Sequence, residues 1–152
     1  MSSAPLSSEQ AATLAAALAR LIPTDEHGPG AREAGVERYI ERALGAEQRR
    51  HRDAYVRGLS ALQASARARH GGDFDALSVA AQDAVLAQAE RETDTAGFFA
   101  LLRGHALEGM FGDPCWGGNA GQVGWALLGY PGPRPAWSER DQQLDLAPDH
   151  AR

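Results

Sequence analysis

Val36-Glu37-Arg38-Tyr39-Ile40-Glu41-Arg42-Ala43-Leu44 is the stretch whose reading decides the fold. Its apolar members, Val36, Tyr39, Ile40, Ala43 and Leu44, recur at i, i+3, i+4, i+7 and i+8, which puts them on one side of an α-helix. The other side carries Glu33, Glu37, Arg38, Glu41 and Arg42. Neighbours at i, i+4 there are like-charged (Glu33 with Glu37, Glu37 with Glu41, Arg38 with Arg42), so they do not support the helix by pairing. That face is expected to be solvated and nothing more, and the helix to owe its stability to the buried one.

Helical signals continue outward in both directions. Toward the N-terminus, Thr24 to Gly30 reads as a polar turn with glycines flanking Pro29. Before it, Ser7 and Gln10 have capping-box spacing, Leu14, Leu18, Leu21 and Ile22 share one face, and Pro23 closes the helix. Toward the C-terminus, a third helix is expected from about Glu47 to His70, with Tyr55, Leu59, Leu62 and Ala66 inward and Gly71-Gly72 as its stop. Ser78 caps a fourth bearing Val85, Leu86 and Ala89, and Asp94 or Thr95 opens a fifth with Phe98, Leu101, Leu102, His105 and Gly109 along one stripe. Short connections favour antiparallel neighbours. The expected fold is all-α: a compact bundle of about five helices, then a long Gly/Pro/Trp-rich C-terminal loop region. Residues 1–137 form a single helical domain in this reading, and 138–152 a polar tail.

The loop region is compositionally distinct. Residues 112 to 137 hold seven glycines, four prolines and all three tryptophans, with little helix expected beyond a turn around Trp125 to Leu128. Glycine permits positive φ and close backbone approach, and proline fixes the path. Large aromatics on such a frame make good anchors for another surface.

Composition narrows the function. The chain has 152 residues, is 43% hydrophobic and carries 15 basic residues, all arginine, against 20 acidic ones, for a net charge of −5. An acidic chain without a basic stripe argues against nucleic acid as a partner. Cys115 is the single cysteine, so neither an intrachain disulfide nor a cysteine metal cluster can form. No apolar run approaches the roughly 20 residues that span a bilayer, and no direct membrane insertion is expected. Met1 to Leu6 lacks the charged and apolar regions of a signal peptide. The location is therefore expected to be periplasmic if an export signal has been removed, and cytoplasmic otherwise.

Two blocks carry a family resemblance. Leu21-Ile22-Pro23-Thr24-Asp25, Gly28-Pro29-Gly30-Ala31, Glu33-Ala34-Gly35-Val36 and Tyr39-Ile40 resemble the opening block of the gluconate 2-dehydrogenase subunit 3 family. Glu108-Gly109-Met110-Phe111-Gly112-Asp113-Pro114, Gly117-Gly118-Asn119, Gly124-Trp125 and Gly129-Tyr130-Pro131-Gly132 resemble its closing block. The resemblance implies a small, mostly helical, non-catalytic subunit of a bacterial flavin-dependent alcohol or sugar dehydrogenase. It implies a large partner subunit that carries FAD and does the chemistry, and a multihaem cytochrome c subunit that takes the electrons. It further implies a role in maturing the large subunit and a twin-arginine signal that exports both. This sequence departs from that pattern in showing no such signal.

On this reading the chain holds no catalytic, cofactor-binding or metal residues, and the expected partner-binding residues are Asp113, Pro114, Cys115, Trp116, Asn119, Trp125 and Tyr130. Trp125 is expected to pack inward and Trp116 to lie nearer the surface. Cys115 is weighed between a thiol facing the partner, able to form an intersubunit disulfide, and a small buried side chain, with burial favoured. The alternative function is a stand-alone metal protein or small enzyme using Asp25, His27, His105 and Glu108. His105 and Glu108 share an i, i+3 face, but no second ligand pair accompanies them, and His105 lies on the Phe98–Leu102 stripe, where a hydrogen-bonded core histidine is the better reading. Asp25, Glu26 and His27 are adjacent on a turn and are expected to point apart. Gly28-Pro29-Gly30 matches no phosphate-loop pattern and reads as a rigid turn.

Overall fold

The computed structural model describes residues 6–133 and 136, so the expected tail, Trp137 and Met1 to Pro5 lie outside the described residues. Among the described residues there are six α-helices and no strand: α1 (Ser8–Leu21), α2 (Val36–Gly45), α3 (Arg52–His70), α4 (Val79–Arg91), α5 (Thr93–Phe111) and α6 (Val123–Leu127). Short 3-10 turns at Arg49–His51, Phe74–Ala76, Pro114–Trp116 and Ala120–Gln122 join or follow them. The all-α reading holds, and the sixth helix is the five-residue one where only a turn was expected.

Local chemistry sets the ends. The Ser7 hydroxyl accepts from Gln10 N–H at 3.1 Å while Gln10 Oε1 accepts from Ser7 N–H at 3.0 Å, a complete capping box. Ser78 accepts from Ala81 N–H to start α4, and Gly71, at φ 73°, stops α3. The third helix starts later than periodicity implied, because residues 49–51 wind as a 3-10 turn before it. Likewise α2 starts at Val36, behind a left-handed Gly35, which leaves Glu33 on the preceding turn.

α5 is the axis of the bundle and packs against α1, α2, α3, α4 and α6. It is therefore buried on more than one side: Phe98, Phe99, Leu102, His105, Ala106, Gly109 and Met110 are all inside. The core around it includes Leu14, Leu18, Ile40, Tyr55, Leu59, Leu62, Phe74 and Val85. Phe74, the lone aromatic of the α3–α4 connection, is fully buried and locked by side-chain amides. Gln63 Oε1 accepts from Phe74 N–H, and Gln82 donates to the Phe74 carbonyl, both at 2.9 Å. A buried backbone group without such a partner would cost free energy comparable to a lost hydrogen bond.

Candidate partner-binding site

A helix ends with its last four carbonyls lacking intrahelical partners, and α5 ends inside the protein. The closing segment supplies the donors. Gly112 N–H reaches the Glu108 carbonyl at 2.8 Å, Asn119 N–H the Gly109 carbonyl at 2.7 Å, and Trp125 Nε1–H the Phe111 carbonyl at 2.7 Å. Gly118 and Gly124 make this approach possible, since a Cβ at either would fall 2.2 Å from the Gly109 oxygen or 1.9 Å from the Met110 oxygen. The glycine-rich stretch is thus a fitted cap on the central helix.

Asn119 is the keystone of that cap. It is fully buried, in the left-handed region at φ 45°, donating from Nδ2 to the Gly112 carbonyl and accepting at Oδ1 from Gly124 N–H. Its expected role as a contact residue needs correcting: it shapes the loop and presents no surface. Trp125 is packed, at 7% exposure, and its ring meets that of Tyr130 edge-on with centroids 5.1 Å apart. Tyr130 remains 46% exposed.

At the start of the segment, the Asp113 carboxylate accepts from Cys115 N–H at 2.9 Å, and Pro114 opens the 3-10 turn that lifts Trp116 outward. Trp116 is 50% exposed. Arg42 lies with its guanidinium carbon 5.3 Å from the centroid of the Trp116 ring and donates to the Trp116 carbonyl at 2.9 Å. The polar face of α2 is therefore more than solvated, because Arg42 braces the loop by hydrogen bond and cation–π contact. Glu33 also does more than expected, accepting from the Thr24 hydroxyl at 2.6 Å and Gly30 N–H at 3.0 Å; the Thr24 hydrogen bond leads in holding its carboxyl below the usual range.

Cys115 is exposed, which corrects the burial favoured for it. The neighbouring Asp113 carboxylate pushes the thiol pKa up. A thiol held protonated is a poor nucleophile.

The residues of the enzyme or metal alternative are occupied separately. His105 is buried with Nδ1 2.9 Å from Tyr55 Oη, and burial keeps its pKa below the ordinary histidine value. Glu108 accepts instead from Tyr39 Oη, at 2.8 Å. Asp25, Glu26 and His27 are exposed on their turn, where Asp25 Oδ1 accepts from His27 N–H at 2.8 Å. Gly30 N–H is taken by Thr24 and Glu33, so that turn offers no cradle for an anion. Among the described residues no three His, Cys, Asp or Glu side chains come together as a metal site.

Two exposed leucines were not anticipated. Leu127 is 44% and Leu128 64% exposed, at the end of α6. One signal was present: at about 100° per residue, Leu127 lies roughly 200° around a helix from Trp125, so a buried Trp125 turns Leu127 outward.

The two blocks, distant in sequence, meet in space. Ala120 N–H donates to the Ala34 carbonyl at 2.9 Å, Leu127 packs over Gly28, and Arg42 braces Trp116. No curated protein and no solved structure matches the chain. The family model described as gluconate 2-dehydrogenase subunit 3 matches residues 8–132, a span that takes in both blocks and all six helices. The chain accordingly belongs to the gluconate 2-dehydrogenase subunit 3 family.

Proposed function

We propose that this subunit of a dehydrogenase complex works by binding. Its closing segment docks on the large, FAD-carrying subunit of an alcohol or sugar dehydrogenase, and the reaction takes place there. One observation carries this reading. Of the six large apolar side chains exposed among the described residues, four (Trp116, Leu127, Leu128 and Tyr130) fall between residues 116 and 130. That segment is fixed beforehand by the cap on α5, so little ordering cost opposes docking. Apolar anchors on a rigid frame are what a protein interface needs. The separate engagement of His105, Glu108 and Asp25 within the fold supports a role without chemistry in this chain.

Binding only the folded form of the large subunit stabilises it by mass action. The reading extends to a periplasmic complex, exported as a pair, in which a multihaem cytochrome c subunit accepts the electrons. Co-expression tests the central point. The large subunit made alone should be less soluble and less flavinated than when made with this chain. Equal yield and equal flavin content in the two cases would overturn the proposal.

A further inference from the structure

The turn from Thr24 to Gly30 has no part in the docking surface as described so far, yet it is built with unusual care. Asp25 and Gly28 exchange backbone hydrogen bonds of 3.1 and 3.2 Å, closing a tight loop. Below that loop, Glu33 ties Thr24 Oγ1 and Gly30 N–H together. The result fixes Gly28 at φ +151°, a conformation that residues with a Cβ rarely adopt. Directly against Gly28 lies Leu127: a Cβ at position 28 would come within 2.5 Å of Leu127 Cδ2. Leu127 is one of the exposed leucines of α6, so one flank of its side chain rests on the glycine and another is open to a partner.

We infer that the Thr24–Gly30 turn is a seat for Leu127, and that Gly28 is a positioning residue for partner binding that acts through that side chain. This rests on the docking role proposed for the closing segment. The physical reason is that α6 has only five residues, too few to hold a side chain's direction by helix packing alone. Trp125 pins the inward side of α6 through Phe111, and the turn pins Leu127 from beside it. A leucine held in one position loses less freedom on docking than one that must be ordered by the partner.

A double-mutant cycle tests this, with association to the co-purified large subunit as the readout. Gly28→Ala and Leu127→Ala are each expected to weaken association by about tenfold, and the double variant no further than Leu127→Ala alone. Glu33→Gln loosens the turn without adding a Cβ beneath Leu127, and should weaken association in the parent while leaving the Leu127→Ala background unchanged. Thermal unfolding of each isolated variant checks the fold. Additive effects of Gly28→Ala and Leu127→Ala, or normal association of both turn variants beside a weakened Leu127→Ala, overturn the positioning role and leave the docking site standing. Unchanged association of Leu127→Ala together with Trp116→Ala overturns the docking site itself.

Discussion

Tyr55 Oη sits 2.9 Å from His105 Nδ1, and the two rings stack with centroids 5.7 Å apart inside the contact between α3 and α5. Burial leads in lowering the His105 pKa; Glu108, on α5, opposes it by drawing a proton toward the ring, while His51 and Arg50 in the 3-10 turn act in the same direction as burial. The imidazole is thus kept neutral at neutral pH.

Acid should therefore loosen this contact. The folded-state pKa of His105 lies below the unfolded value, so the folded protein binds this proton less readily. The corresponding stability is complete above about pH 6.5, the ordinary histidine value, and is lost as pH falls from there through the folded-state pKa. Urea unfolding between neutral and mildly acid pH should show a falling midpoint in the parent and a flatter profile in His105→Gln. A parent profile as flat as that of the variant would show that the ring does not titrate on unfolding.

Removing the hydroxyl alone isolates the hydrogen bond. Tyr55→Phe leaves His105 Nδ1 buried without its partner and should cost about 1–3 kcal/mol in denaturant unfolding. A loss near zero would mean that water or rearrangement satisfies the nitrogen.

Asn119→Ala removes both side-chain bonds of the cap and places alanine at φ 45°. The expected cost is about 2–4 kcal/mol, from a buried donor and acceptor left open together with an unfavourable backbone conformation. Hydrogen exchange should locate the damage in the last turn of α5 and the closing segment. Exchange that stays slow at Gly124 would contradict the assigned partner of its N–H.

Trp116→Ala should separate binding from folding. With half its surface already in water, its loss should change stability by under about 1 kcal/mol, while a docked anchor contributes about 2 kcal/mol or more to association. Unchanged recovery of the large subunit on co-purification would remove Trp116 from the interface.

The helices that build the bundle were legible because each has a long periodic face and most have a recognisable boundary. Ser7, Ser78 and Gly71 mark ends by chemistry that is local in sequence. What was illegible depends on distant partners. Gln63 and Asn119 look like ordinary polar residues until Phe74 and Gly124 arrive from elsewhere in the chain. Arg42 belonged to a charged helix face, and only the fold brings Trp116 against it, 74 residues away. The 3-10 turns and α6 are too short to carry a period: the inward Trp125 gave Leu127 an outward direction, but nothing in the sequence marked Leu128 as exposed. Within the site, the inward Trp125 and outward Trp116 followed the expectation, whereas Asn119 and Cys115 exchanged places with it, one buried and the other exposed.

The bond from Ala120 N–H to the Ala34 carbonyl has a consequence for anyone transplanting this surface. The aromatic segment is not a portable cassette. A chimera that swaps residues 112–132 between two relatives would set a new loop on a foreign floor, and register between Ala34, Gly28 and their counterparts would be lost. Carrying residues 24–42 along with the loop preserves the floor, so recognition in such hybrids should follow the matched pair of segments and fail for either one alone.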